Sequence, residues 1–132
     1  MSRLETRRLA AKPDGTAPDG TDVRLLLRLK GGSFAHFELP PGKISKAVAH
    51  RTVEEIWYFV GGEGKMWRKK GAHEKVVTVK PGVCLTIPLG TRFQFRSSGD
   101  VALEMVAVTM PPWPGEGEAY EVRGKWRPTI DR

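Results

Sequence analysis

The sequence predicts an all-β domain whose short strands pack as a sandwich or close into a barrel. Three observations carry that prediction. Apolar and polar residues alternate with period two in one short stretch after another, the pattern of half-buried strands. Fifteen glycines and ten prolines in 132 residues punctuate those stretches at close intervals, as turns between short strands require. No segment shows convincing helical periodicity, and about eight to ten strands at this spacing imply a fold that shelters its sheet edges.

Residues 1–22 are poor in large apolar side chains and hold two turn signals, Pro13-Asp14-Gly15 and Pro18-Asp19-Gly20. They read as an arm before the core. Val23 to Lys30 alternates, with Val23, Leu25, Leu27 and Leu29 on one face, Arg24, Arg28 and Lys30 opposite, and Leu26 breaking the polar face. Gly31-Gly32 turns the chain into a second strand, Ser33 to Leu39, ended by Pro40-Pro41-Gly42. A third strand, Ile44 to His50, places Lys46, Val48 and His50 on one face. On the fourth, Glu55 to Val60, the residues Glu55, Trp57 and Phe59 share a face, with Glu54 and Tyr58 directed away from it. Lys65 to Lys70 opens a hairpin about Gly71-Ala72 that returns through Val76, Val77 and Val79.

Three further strands follow at Cys84–Ile87, Phe93–Arg96 and Ala102–Thr109. Cys84, in an apolar strand without a basic neighbour, reads as a small core residue. If Phe93 and Phe95 face inward, Arg92, Gln94 and Arg96 lie outside, unless a one-residue bulge reverses them. The tail, 111–132, opens with Pro111-Pro112-Trp113-Pro114-Gly115, a run poor in backbone donors that cannot join the middle of a sheet. With Trp113 and Trp126 it reads as a strap along the barrel or against a partner subunit, in preference to a lid over a ligand.

Length fits one domain with a real core. The net charge of +7, from 22 basic and 15 acidic residues, favours solubility and acidic ligands but says nothing of the fold. A single cysteine excludes an internal disulfide, and the charged N-terminus lacks the apolar stretch of a signal peptide. No apolar run is long enough to cross a membrane. These features predict a soluble cytoplasmic protein. The basic cluster Arg68-Lys69-Lys70, with Lys65 and Lys75, surrounds one tryptophan, Trp67, and precedes no recognition helix. It reads as a solvated hairpin, so no nucleic-acid partner is expected.

Two stretches carry more than fold. Gly42 is followed after five residues by Val48, then His50; four residues separate His50 from Glu55, and six separate Glu55 from Gly62. Farther on, Gly82 precedes Pro88 by five intervening residues, Gly90 follows, Phe93 comes after two more, and Ser97 after another three. This ladder resembles the paired motifs of the cupin family, over roughly residues 23–110. The resemblance implies a single cupin barrel, a double-stranded β-helix of jelly-roll type, with 1–22 as an arm and 111–132 as a strap. It also implies a homodimer, since cupins commonly pair through an outer sheet face or exchange terminal strands.

In the family these motifs supply three histidines and a carboxylate to a metal ion. The chain departs from that set: Val48 and Phe93 stand at two histidine positions and Ser97 at the asparagine, leaving His50 and Glu55. An His-x-His pair grips one ion because both side chains leave the same face of a strand. One histidine and one carboxylate seldom hold a metal tightly, and Val48 and Phe93 dry the site. The implied cofactor is therefore none, or a weakly held divalent zinc, nickel or iron. His36 is a substitute ligand in principle, although Ala35 and Phe37 compete with it for the inward face.

Without metal, His50 and Glu55 are either a general-base pair or a buried pair that satisfies itself. Lys46 either binds something acidic or extends from the rim into water. Trp57 and Phe59 line a cavity or fill the core. The functional expectation is a small-molecule-binding cupin with a decayed metal site, its ligand contacted by Lys46, Val48, His50, Glu55, Trp57, Phe59 and Phe93. Two alternatives stand beside it. One is a metal-independent isomerase or epimerase with His50 as base, although Tyr58, the nearest second acid, faces away. The other is a metalloenzyme completed by His36. Whether the protein is catalytic stays open at this point.

Overall fold

The computed structural model describes residues 4–132. Among the described residues the chain forms eleven strands and no helix: β1 (Gly15–Thr16), β2 (Asp22–Leu29), β3 (Gly32–Leu39), β4 (Val48–His50), β5 (Glu54–Gly61), β6 (Gly64–Lys70), β7 (His73–Val79), β8 (Cys84–Ile87), β9 (Arg92–Ser97), β10 (Leu103–Met110) and β11 (Ala119–Glu121). No described helix is long and apolar enough to cross a membrane. Two antiparallel sheets contain all the strands, in the orders β1-β2-β3-β10-β5-β8 and β11-β4-β9-β6-β7. The double-stranded β-helix expected from the motifs is the observed architecture.

Alternation explains how the sheets enclose a core. On β5, Glu55, Trp57 and Phe59 turn inward while Glu54, Ile56, Tyr58 and Val60 stay exposed. On β10, Leu103, Met105, Ala107 and Thr109 are the buried positions. β9 contributes Phe93 and Phe95 to a cluster with Trp57, Phe59, Met66 and Met105. Trp57 is the hub, with its ring edge-on to Phe93 at 5.4 Å and to Phe95 at 5.3 Å. The motif glycine Gly62 sits at φ 74°, where a Cβ would collide with the Ala102 carbonyl, so the turn after β5 accepts only glycine.

Three expectations need correction. The strand expected over 44–50 is paired as a strand only at Val48–His50, preceded by an isolated bridge between Ile44 and Arg96. The intervening backbone has other partners: Lys46 N–H donates to the Asp19 carbonyl, and the Ala47 carbonyl accepts from Val122 N–H. The expected alternation of β2 is interrupted by a register shift between Leu25 and Arg28, and Leu25 and Leu29 are exposed. Cys84 is exposed, not core. β8 is an edge strand whose inward positions are Leu85 and Ile87, so Cys84 and Thr86 face out.

The tail is tied down along its length. β11 pairs with β4, Ala119 opposite His50 and Glu121 opposite Val48. Farther on, Thr129 and Ile130 N–H both donate to the Ile44 carbonyl, and Ile130 enters the core cluster. Gln94, fully buried, is the clamp between barrel and tail. Its Nε2 donates to the carbonyls of Ser45 and Trp126, each at 2.8 Å, and its Oε1 accepts from Trp126 N–H at 2.9 Å. Gly124 lies flat against Gln94 and Ala47, where any Cβ would clash with both.

Replacing Gln94 strands one buried backbone group, the Ser45 carbonyl, and two part-buried ones on Trp126. The variant Gln94→Ala is expected to lose about 2–4 kcal/mol of stability. Urea unfolding should show a lower midpoint with an unchanged slope; an unchanged midpoint would mean the clamp carries no stability.

Candidate functional site

A cavity of about 520 Å³ is bounded by both sheets, the arm and the tail. Its inner wall combines Val48 and His50 from β4, Glu55 and Trp57 from β5, Phe93 from β9 and Thr109 from β10. The short strand β4 points Val48 and His50 the same way, and Val48 pairs directly with Phe93 across the ladder. Both are almost wholly buried. Two positions that the family motifs give to histidine are thus occupied by adjoining hydrocarbon.

Glu55 is fixed by its neighbours. Thr109, its cross-strand partner, donates Oγ1 to Glu55 Oε2 at 2.5 Å, and Trp57 donates Nε1 to Oε1 at 2.9 Å. His50 Nε2 lies 3.9 Å from Oε1, beyond hydrogen-bond distance. His50 Nδ1 is buried without a partner. The ring is wedged edge-on between Phe93 at 5.3 Å and Trp113 at 5.4 Å. Among the described residues, neither nitrogen of this buried imidazole has a hydrogen-bond partner.

Two more carboxylates lie near this histidine, one from each terminal segment. Asp19, in the arm, is buried and accepts Thr21 N–H at 3.0 Å and Thr21 Oγ1–H at 2.6 Å, both on Oδ1. Burial pushes its carboxyl above the usual range, aided by the charge of Glu55; the Thr21 bonds and His50 oppose this without cancelling it. Glu118, just before β11, moves the other way. Burial pushes it up, but bonds from Thr52 Oγ1–H, Thr52 N–H and Val53 N–H, with the nearby His50, hold it below the usual range. Glu118 thereby pins the loop that follows His50.

The structure brings five of the seven expected site residues to the cavity: Val48, His50, Glu55, Trp57 and Phe93. Lys46 is not on its wall; the displaced 45–47 backbone sends its ammonium to the Arg132 carbonyl. Phe59 is fully buried core beneath Trp57. His36 points away from the cavity that Ala35 and Phe37 line, and bonds Glu104 Oε1 through Nε2 at 3.0 Å. It cannot join His50 and Glu55. Tyr58 is exposed on the outer face of β5.

Asp19, Thr109, Trp113 and Glu118 are absent from the sequence-based set. Thr109 had a signal, as the one polar residue among the inward positions of β10. Asp19 was absorbed into a turn motif and Trp113 into a proline-rich run, and only tertiary folding brings them in. Trp113 is anchored there by its N–H, which donates to Ser33 Oγ at 2.9 Å. The arm forms the rim: Arg7 Nη1 donates to the Leu26 carbonyl at 2.9 Å, and Arg24 Nε reaches the Ala10 carbonyl at 2.9 Å.

Among the described residues no group of three or more His, Cys, Asp or Glu is arranged to hold a metal ion. Of the ligand positions in the family motifs, His50 and Glu55 carry donors, and both Glu55 oxygens already accept hydrogen bonds. The residues present do not fit a four-ligand metal site.

The two shifted carboxylates predict opposite pH signatures. Glu118 titrates lower folded than unfolded, so it stabilises above the usual glutamate range and loses that contribution as pH falls through its folded value. Glu118→Ala should cost about 1–3 kcal/mol at neutral pH, the deficit shrinking in acid. Asp19 titrates higher when folded, so its ionisation costs stability as pH rises. Asp19→Asn should melt a few degrees higher at neutral pH, the gain vanishing in acid where both states are protonated. Thermal melts across pH would refute this if the two variants shifted in parallel.

The cupin domain family profile matches residues 35–109, more than half of the chain. An uncharacterised protein of Methanocaldococcus jannaschii is 32% identical over 103 residues, covering 74% of this chain and 79% of that protein. Among solved structures, a predicted oxalate decarboxylase from Thermotoga maritima superposes with a TM-score of 0.59 at 27% identity, covering 68% of this chain and 79% of its own. A conserved protein with a double-stranded β-helix domain from Klebsiella pneumoniae gives 0.67 at 16% identity, over 91% of this chain and 100% of that one. The capsular polysaccharide assembling protein CapF of Staphylococcus aureus gives 0.70 at 15% identity, and there the chain covers 83% of itself but 34% of CapF. The last two likenesses concern fold alone. With the motif ladder, the two-sheet barrel and the family profile in agreement, this chain belongs to the cupin domain family.

Proposed function

We propose that the protein is a small-molecule-binding cupin whose metal site has decayed, and that the ligand occupies the cavity beside His50 and Glu55. One observation carries the reading: His50 is buried in the cavity wall with Nδ1 unpartnered. Leaving such a group unsatisfied costs about 1–3 kcal/mol, and a polar ligand atom removes that cost. The volume falls in the range of small-molecule sites, and Phe37, Trp57, Phe93 and Trp113 supply flat apolar walls. Val48 and Phe93 support the decay of the metal site, because hydrocarbon there favours packing over coordination. The free, exposed Cys84 suits a reducing compartment such as the cytoplasm. The proposal extends to a homodimer through the outer face of β5, where Ile56, Tyr58 and Val60 are exposed; sedimentation of the intact chain reads this directly.

The test joins elemental analysis of untagged protein to thermal melts with Zn²⁺, Ni²⁺, Mn²⁺, Fe²⁺ and a small-molecule library. The expected outcome is metal far below stoichiometry, no metal-induced shift, and stabilisation by compounds that no longer act on His50→Ala. Stoichiometric metal lost in both His50→Ala and Glu55→Ala would overturn the decayed-site reading. A binding compound that exchanges a carbon-bound proton with deuterated water, and stops doing so in His50→Ala, would make the cavity catalytic. His50 would then be the base.

A further inference from the structure

Hydrogen-bond capacity at the inner end of the cavity is lopsided. The donors nearest the two acids are already engaged: Trp57 Nε1–H and Thr109 Oγ1–H on Glu55, Thr21 N–H and Oγ1–H on Asp19. A carboxylate offers about four lone-pair sites, so Glu55 retains acceptor capacity after those two bonds. His50, more than nine-tenths buried, adds a nitrogen with no partner. A neutral imidazole offers one acceptor nitrogen and one donor, so with the two carboxyl groups the acceptors outnumber the free donors. The excess on the inner wall is of acceptors, which a ligand rich in donors would satisfy.

Charge points the same way. The chain carries a net +7, yet among the described residues no lysine lines the cavity, and the two arginines that do, Arg7 and Arg28, are exposed on the arm and β2. Arg7 is occupied with the backbone carbonyls of Leu25 and Leu26, and Glu5 accompanies it at the rim. Solvent screens those rim charges, whereas Asp19 and Glu55 act from a buried wall where screening is weak. An anionic ligand would place its charge against both acids.

The remaining wall is aromatic. Phe37 stacks on Trp57 at 6.0 Å, Phe93 stands edge-on to Trp57 at 5.4 Å, and Trp113 closes over His50 at 5.4 Å. Aromatic faces attract cations through their quadrupole, more strongly where water is excluded. Acids and an unpartnered imidazole at one end, with aromatic rings around them, make a receptor of definite polarity.

We infer that the ligand is a protonated amine with an apolar or aromatic body, its ammonium donating to Glu55, Asp19 and His50 while the body lies against Phe37, Trp57, Phe93 and Trp113. The inference rests on the proposal that the cavity binds a small molecule, and it names the chemical class.

The experiment is calorimetry on the full chain at neutral pH with matched probes: benzylamine, benzyl alcohol and benzoate, and the same three head groups on indole and cyclohexane bodies. The amines should bind at least about tenfold more tightly than the alcohols, with the carboxylates weakest. Glu55→Gln should reduce the amine preference severalfold. Asp19→Asn, which keeps the Thr21 bonds, gives a second reading should Glu55→Gln fail to fold. If alcohols or carboxylates bind as well as amines, the inference is overturned while the small-molecule reading stands. If no probe binds at millimolar concentration, both fall.

Discussion

Gln94 reaches three buried or half-buried backbone groups that would otherwise lose their partner, and much of the molecule's arrangement follows from that. β4 is only three residues long and sits between β9 and the tail strand β11. Its lead-in, 44–47, bonds to β9, the arm and the tail in place of a regular ladder. A sheet built this way needs its outermost segment held, because a free tail would expose backbone groups on β4. The amide of Gln94 supplies the hold from the far side of β9, while Phe93 and Phe95 on either side of it face the core. One strand thus serves the core with one face and the tail with the other.

The site inherits its character from that arrangement. With the tail in place, Glu118 braces the loop after His50 and Trp113 covers the ring. With the arm folded back, Asp19 enters the cavity from the opposite direction. The histidine is held by packing between Phe93 and Trp113. Glu55 is immobilised independently by Trp57 and Thr109, so the two family-motif residues that persist keep their places by different means. Val48 and Phe93, at two positions that the family motifs give to histidine, make the centre apolar around His50 and Glu55.

Much of this was legible in the sequence, and the reasons are specific. Strict alternation on β5 placed Glu55, Trp57 and Phe59 inward and Tyr58 outward. The glycine and proline spacing fixed where His50 and Phe93 would stand. Lys46 was misplaced because alternation assumes a regular ladder, and the backbone around it bonds elsewhere. Cys84 was misjudged because an apolar neighbourhood in sequence does not reveal which strand forms an edge. Leu25 and Leu29 lost their expected face to a register shift in β2. Asp19, Trp113 and Glu118 lay beyond reach, since each arrives through tertiary folding of a segment with no periodic pattern.

The two walls borrowed from outside the barrel have a consequence for how the cavity tolerates substitution. The barrel strands are bound by core packing, where most substitutions are costly. Terminal segments answer to far looser constraints. Because Asp19 lies in the arm and Trp113 in the tail, substitutions there change the charge or the shape of the cavity without touching the barrel strands.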